Sequence, residues 1–276
     1  MDLDRGDQPL ISFIILSWNS SHYLARCLES IASRCGEEEI PFETIVIDNG
    51  SSDGSVELLS GFAKRSPDRF RVIPLSFNSG TTYSRNLGLR QARGGYLCIL
   101  DSDTELGEGS LRGALDELGN RPGVGVLAPR LVLPDGSVQH SVKRFPTLMH
   151  KLAKLPRILF GAPSKNRDFY PDFPFCATRE VDSAISACWL FRRALLDRVG
   201  YLDEKIFYAP EDLDFCLRVW RAGLSILYWP ALTVLHHTQQ ITHRSPFSRT
   251  SLSHLAGLWY YYRKHGGWLF PPQARS

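Results

Sequence analysis

What this sequence lacks narrows its class before any motif is read. Its six cysteines, at positions 27, 35, 98, 176, 188 and 216, form no C-x-x-C pair and no metal-finger spacing. That argues against a zinc scaffold. Cys98 and Cys216, set inside apolar patterns, read as buried thiols of a reducing compartment. No window holds the roughly 18 consecutive apolar residues that a membrane-spanning helix needs. The opening Met1-Asp2-Leu3-Asp4-Arg5 is acidic, and no signal-type apolar segment follows it. Charge of one sign is scarce too: 32 Lys and Arg against 29 Asp and Glu leave a net +3, too little to argue for nucleic acid as a partner. The expectation is a cytoplasmic protein, at most peripheral on the inner face of the plasma membrane.

Present instead is the composition of a soluble globule, 43% hydrophobic and 22% charged over 276 residues, long for one domain and short for two. A single α/β domain over 1–240 with a helical extension over 241–276 fits this length. Leu10 to Leu16 is a continuous apolar run of the kind found in strands buried on both faces. Ser17-Trp18-Asn19-Ser20-Ser21 interrupts it, and Ser20 or Ser21 can cap a helix carrying Leu24, Cys27, Leu28 and Ile31 on one face. Glu43 to Ile47 and Phe70 to Leu75 read as further strands. The first ends in Asp48-Asn49-Gly50-Ser51-Ser52-Asp53-Gly54-Ser55, the second in Asn78-Ser79-Gly80. A helix from Ser84 to Arg93 then leads to the apolar run Tyr96 to Leu100. This rhythm predicts an open, largely parallel sheet flanked by helices, and ligands of such sheets sit at the carboxyl ends of the strands. Trp18, Asp48, Asn49, Asp53, Arg85, Asp101 and Asp103 would share that rim.

The last of these strands delivers Asp101-Ser102-Asp103. On an extended backbone, residues two apart face the same side, so the two carboxylates would aim at one point. Such anions repel unless a proton or a cation separates them. A hard divalent ion such as Mg²⁺ or Mn²⁺, often bringing a diphosphate, is the usual solution. The same residues also suit a strand that ends in a polar turn.

Further on, Gly109 to Leu118 has helical spacing, Gly123 to Leu127 reads as a strand, and Leu131 to Val138 reads as a hairpin turning at Asp135-Gly136. Lys143 to Arg167 holds seven basic residues and no acid, interleaved with apolar ones. It reads as a solvated face, or as a segment resting on anionic lipid or meeting a lipid diphosphate. Ser183 to Arg193 precedes a helix stopped by Gly200. In Tyr208-Ala209-Pro210-Glu211-Asp212-Leu213-Asp214, proline followed by acids suits a helix N-terminus, where carboxylates meet unpaired N–H groups. Asp214 and Arg218, four apart, are expected to pair. Leu224 to Trp229 and Leu232 to Leu235 read as strands, the second running into His236-His237. A tail from Leu252 to His265 carries Leu255, Leu258, Trp259 and Tyr262 at helical spacing. It is expected to pack back on the domain or, through Arg263-Lys264-His265 and its aromatics, to meet a membrane or partner.

Taken in order, four stretches resemble the signature of the family 2 inverting glycosyltransferases of the GT-A fold, over about residues 10–237. They are Ile14-Ile15-Leu16-Ser17-Trp18-Asn19, then Val46-Ile47-Asp48-Asn49-Gly50-Ser51-Ser52-Asp53-Gly54-Ser55, then Asn78-Ser79-Gly80 with Arg85-Asn86-Leu87-Gly88, then Leu100-Asp101-Ser102-Asp103. The resemblance implies a GT-A (Rossmann-like) sheet whose residues 10–105 take a nucleotide sugar and whose residues 106–240 face the acceptor. It implies a nucleoside-diphosphate sugar, dTDP- or UDP-linked, held by Ser17, Trp18, Asn19, Asp48, Asn49, Asp53, Asn78, Gly80, Arg85 and Asp101. Within that set Trp18 matches the aromatic that stacks on the base, Asn49 the group that reads the pyrimidine edge, and Arg85 a cation close to phosphate. Mn²⁺ or Mg²⁺ would be bound by Asp101, Asp103 and His236, with His237 the adjacent candidate. Asp212 matches the catalytic base and Glu211 an acceptor contact.

Two departures stand out. Asn49 occupies a position that is often Asp, and Gly200-Tyr201-Leu202-Asp203-Glu204 differs from the common Gly-Phe-Asp-Glu form, with Leu202 keeping the apolar anchor. The chain looks most like bacterial rhamnosyltransferases of cell-surface polysaccharide assembly, which implies a glycan or polyprenyl-diphosphate-saccharide acceptor. A sugar nucleotidyltransferase is one rival; it would normally carry a Gly-rich, Arg-bearing loop where this chain has Ser17-Trp18-Asn19-Ser20-Ser21. A non-catalytic binding protein of the same fold is the other, and the intact Asp101, Asp103, Asp212 and His236 argue against it.

Overall fold

A computed structural model describes residues 8–149, 169–170, 173–238 and 249–274, with side chains from residue 253 onward in the last stretch. The first half alternates strands and helices: β1 (Ile11–Ser17), α1 (Ser21–Glu37), β2 (Phe42–Asp48), α2 (Ser55–Arg65), β3 (Phe70–Pro74), α3 (Thr81–Gln91) and β4 (Tyr96–Asp101). The second half opens with β5 (Thr104–Gly109), α4 (Leu111–Asn120), β6 (Val124–Val132), β7 (Val142–Lys143) and β8 (Arg179–Val181). It continues through β9 (Ser183–Ala184), β10 (Cys188–Arg192), α5 (Leu195–Val199), α6 (Glu211–Arg221), β11 (Ser225–His236) and α7 (Arg249–His265).

One mixed sheet runs in the order β3-β2-β1-β4-β10-β6-β11-β5, with β8 also paired to β11. Strands β3, β2, β1 and β4 are mutually parallel, as a strand–helix–strand rhythm requires. β10 then enters antiparallel between β4 and β6. β7 and β9 form a separate two-stranded ribbon.

The continuous apolar runs are explained by cover on both faces. Along β1, Ile11, Phe13 and Ile15 enter one core with Leu24, Leu28 and Ile31 of α1 and Leu115 and Leu118 of α4. Ile14 enters the other core, with Leu89 of α3, Phe215 and Val219 of α6, and Tyr261 and Tyr262 of α7. The period-two alternation of the pleat divides each strand between two helix layers. Each fully buried Leu, Ile or Phe contributes about 1.5–3 kcal/mol relative to exposure.

Several sequence expectations need correction. The helix expected from Ser84 starts at Thr81 and ends at Gln91. The two strands expected between Leu224 and Leu235 are one strand, β11, whose register on β6 shifts between Trp229 and Thr233. Ser20 does stand at the α1 N-cap, but its hydroxyl pairs with that of Ser17 (2.9 Å) rather than with a helix N–H. Helix α2 and strands β5 and β10 had no strong pattern: α2 buries only Ser55 and Leu59. The hairpin at Asp135-Gly136 is present as a narrow turn in which Leu133 N–H donates to Ser137 O (2.8 Å). Most of the basic stretch Lys143–Arg167 lies outside the described residues.

Candidate active site

The geometry of Asp101 and Asp103 also differs from expectation. β4 ends at Asp101, residues 102–103 turn, and β5 leaves in a new direction from Thr104. The Thr104 hydroxyl locks that turn by donating to Asp101 O at 2.7 Å. The carboxylates therefore converge across a tight turn and not along one extended strand. What completes the cluster is β-pairing: β11 runs antiparallel to β5 with His236 opposite Thr104. One ligand atom from each of Asp101, Asp103 and His236 lies within 4.8 Å of the other two.

His236 is set to use Nε2. Its Nδ1 donates to Gln139 Oε1 at 2.8 Å, and Nε2 stands 3.5 Å from Asp103 Oδ1. Burial by itself would depress this imidazole, but the facing Asp103 carboxylate raises its pKa above the ordinary value. With Nδ1 committed to Gln139, Nε2 and the carboxylate need a proton or a cation between them. Two oxygens and one imidazole nitrogen, the nitrogen oriented from behind by an amide, suit Mn²⁺ or Mg²⁺. His237 is turned elsewhere: Nε2 donates to Glu105 Oε1 at 2.6 Å and its ring stacks on Tyr23 at 5.0 Å.

These groups open into a cavity of about 460 Å³ at the carboxyl ends of the parallel strands. Of the residues expected at the nucleotide, Trp18, Asn49, Asn78, Gly80, Arg85 and Asp101 line it. Ser17, Asn19, Asp48 and Asp53 do not; they brace the loops that form its rim. Asn19 Oδ1 accepts from Ser52 N–H (2.9 Å), and Asp48 Oδ2 accepts from Ser51 N–H (3.1 Å). Asp53 accepts from Ser21 N–H (3.0 Å) and from the Ser55 hydroxyl (2.6 Å), tying the β2–α2 loop to the start of α1.

Asn49 lines the cavity, yet both ends of its amide are in use. Oδ1 accepts from Ser79 N–H (2.8 Å), and Nδ2 donates to Asn78 Oδ1 (2.9 Å) and Gly80 O (3.3 Å). Its amide thus shapes the 78–80 loop. Gly80 sits at φ +86, and a Cβ there would fall 2.4 Å from Phe207 O, so the wall is closed by backbone against backbone.

Arg85 lines the cavity too, and its charge is already engaged. Its guanidinium is buried between Asp101 Oδ1 (2.5 Å), Glu211 Oε1 (3.2 Å) and the Ser186 hydroxyl (2.8 Å). It links the metal-type cluster to the start of α6. Ser186 also donates to Glu211 Oε1 at 2.8 Å. Burial first, and then the charge of Asp212, push Glu211 up to about 7 against the pull of Arg85 and Ser186. Asp212 lines the same cavity. Its Oδ1 accepts from Leu213 N–H (2.8 Å), and its Oδ2 stands 3.8 Å from Lys143 Nζ.

Sequence reasoning missed Gln139, Ser186, Phe207 and Tyr208, all of which line the cavity. Only Tyr208 carried a signal, its place just ahead of Pro210 and the acids. A depression of about 730 Å³ at the amino ends of the strands is lined by Phe42, Arg69, Arg71 and Arg93. Its cations are already held: Arg71 and Arg93 on Glu43, and Arg69 over the Phe42 ring.

Residues 12–200 match glycosyl transferase family 2. An N-acetylglucosaminyl-diphospho-decaprenol L-rhamnosyltransferase of Mycobacterium tuberculosis is 26% identical over 284 aligned residues, covering 95% of this chain and 87% of that protein. The O-antigen biosynthesis protein RfbC of Myxococcus xanthus is 26% identical over 206 residues, 73% of this chain and 15% of that one. Among solved structures, GalNAc-T7 with UDP, GalNAc and Mn²⁺ superposes at TM-score 0.65 and 15% identity, over 90% of this chain and 48% of that one. S. aureus TarS 1-349 with UDP-GlcNAc does so at TM-score 0.60 and 20% identity, over 85% of this chain and 61% of that one. These structures share the GT-A architecture of a central sheet flanked by helices. With a match over more than half its length, and with the carboxylate–histidine cluster and the acids of α6 opening into one cavity, the chain belongs to glycosyl transferase family 2 and is a glycosyltransferase.

Proposed function

We propose that this glycosyltransferase is metal-dependent and inverting, and that it moves rhamnose from a dTDP- or UDP-linked donor to a saccharide carried on polyprenyl diphosphate. Its place would be cell-surface polysaccharide assembly, on the cytoplasmic side of the membrane. The sugar and the lipid-linked acceptor follow the Mycobacterium tuberculosis relative by analogy. The observation that carries the chemistry is the common cavity, which brings Asp101, Asp103 and His236 together with Asp212.

In this reading Trp18 stacks on the base at the open rim, and the 78–80 loop shaped by Asn49 flanks it. Asp101, Asp103 and His236 would hold Mn²⁺ or Mg²⁺, the imidazole favouring Mn²⁺. The bound ion would supply positive charge for the departing diphosphate. The acceptor hydroxyl is a very weak acid, so it needs a carboxylate within hydrogen-bond reach. Asp212 takes its proton as the oxygen attacks the anomeric carbon on the face opposite the diphosphate, which inverts that centre. Arg85 and Ser186 hold Glu211 beside the base, where it can meet the acceptor sugar.

Asp212→Asn should keep donor and metal binding while transfer falls roughly a hundredfold or more. Near-normal transfer in that variant, with loss in Glu211→Gln, would move the base to Glu211. The nucleotide is identified by thermal shift with Mn²⁺ present. A donor at a hundred times its dissociation constant stabilises the folded form by about 2.7 kcal/mol.

A further inference from the structure

We infer that one face of α7, together with the turn that follows it, docks on an anionic lipid surface. The helix is seated firmly on its other side. Tyr261 and Tyr262 are buried, and a Cβ on Gly257 would fall 2.0 Å from Ala209 O, so helix and loop backbones are in direct contact. Lys264 and His265, expected from sequence among a basic exposed end, turn inward onto Asp214 at 2.6 and 2.7 Å. Leu255 and Trp259, one turn apart on the helix, stay in solvent.

That exposure continues into neighbouring segments. The Trp259 ring meets the Trp268 ring at 5.3 Å, and Leu269 and Phe270 follow. Met149 joins them, its N–H donating to Trp268 O at 3.2 Å. Trp259, Trp268 and Met149 thus adjoin one another, with Leu255 one turn away on the helix and Leu269 and Phe270 next along the chain; all six are between 39% and 78% exposed. A monomer surface seldom gathers such a patch without use. Two tryptophans in it suit the boundary between headgroups and acyl chains.

Charge selects the occupant. From residue 215 to residue 276 the chain has no Asp or Glu, against seven Lys and Arg, two of which, Arg218 and Lys264, are held by Asp214. Residues 136–167, which include Met149, likewise carry no acid. Arg263 on α7 and Arg144 are exposed. A second copy would set basic segments against basic segments, whereas phosphate headgroups complement them. The location also fits: His254 and Leu258, on the same helix, line a small cleft with Lys143, Arg144 and Asp212. A surface docked on Leu255 and Trp259 would lie beside that cleft.

The test uses the intact chain and sedimentation with vesicles of phosphatidylglycerol mixed with phosphatidylcholine, against phosphatidylcholine alone. Binding should require the anionic lipid and fall several-fold when salt is raised, because exposed charges are screened. Trp259→Ser combined with Phe270→Ser should lower partitioning at least about tenfold while melting temperature and nucleotide binding stay unchanged. Phe270→Ser alone serves if the double variant loses its cooperative melt. Absence of vesicle binding, equal binding by the variants, or a dimer in lipid-free buffer that the variants dissolve would each overturn the inference. None of these readouts depends on the sugar or acceptor assignment.

Discussion

Replacing Arg85 by leucine separates two roles that the position could play. A guanidinium reserved for donor phosphate would be dispensable to the empty fold. The observed one is buried between Asp101 and Glu211, and its loss would leave both carboxylates uncompensated. Breaking a buried ion pair from one side costs about 3–5 kcal/mol. At roughly 2–4 °C per kcal/mol for a chain of this size, the melting temperature should drop by about 6–20 °C.

The deficit should also depend on pH, and its sign follows from Glu211. In the folded protein this carboxyl takes its proton near 7, whereas the free side chain does so near 4.5. Between those values the folded form holds the extra proton, so stability falls as pH rises through the window. Without Arg85 the folded value climbs further, so the fall continues to higher pH. Urea melts in a chelating buffer should therefore show a wild type–variant gap larger at about pH 8 than at about pH 5.5, by about 1 kcal/mol or more. A gap below about 1 kcal/mol at both pH values, accompanied by weakened UDP binding, would refute the bracing role and restore the phosphate role.

Gln139→Leu removes the acceptor that fixes the His236 ring, and Mn²⁺ affinity measured by calorimetry should weaken about 10–100-fold with the fold intact. Asp214→Asn strips the buried anion shared by Arg218, Lys264 and His265, and should cost about 3–5 kcal/mol at neutral pH. Burial works to raise the Asp214 pKa, but His265, Arg218 and Lys264 hold it well below the ordinary 3.8. The stabilisation is thus full above that value and lost as pH falls toward the folded pKa. The gap between wild type and variant in urea melts should be flat from about pH 5 to pH 8 and close in acid.

The sequence alone determined the elements whose chemistry is local and periodic. The runs Leu10 to Leu16, Glu43 to Ile47 and Tyr96 to Leu100 made doubly covered strands, and the polar loops after them fell on one rim because parallel strands share their ends. The order of those loops was enough to identify the family. Tertiary structure decided what depends on partners distant in the chain. The register of β11 on β5, more than a hundred residues away, brought His236 to Asp103 and sent His237 to Glu105. No local pattern announces that Gln139 backs the histidine, or that Arg85 pairs with both Asp101 and Glu211. Such choices are made by which buried charges must be neutralised once the chain has closed, and a linear pattern does not encode that balance.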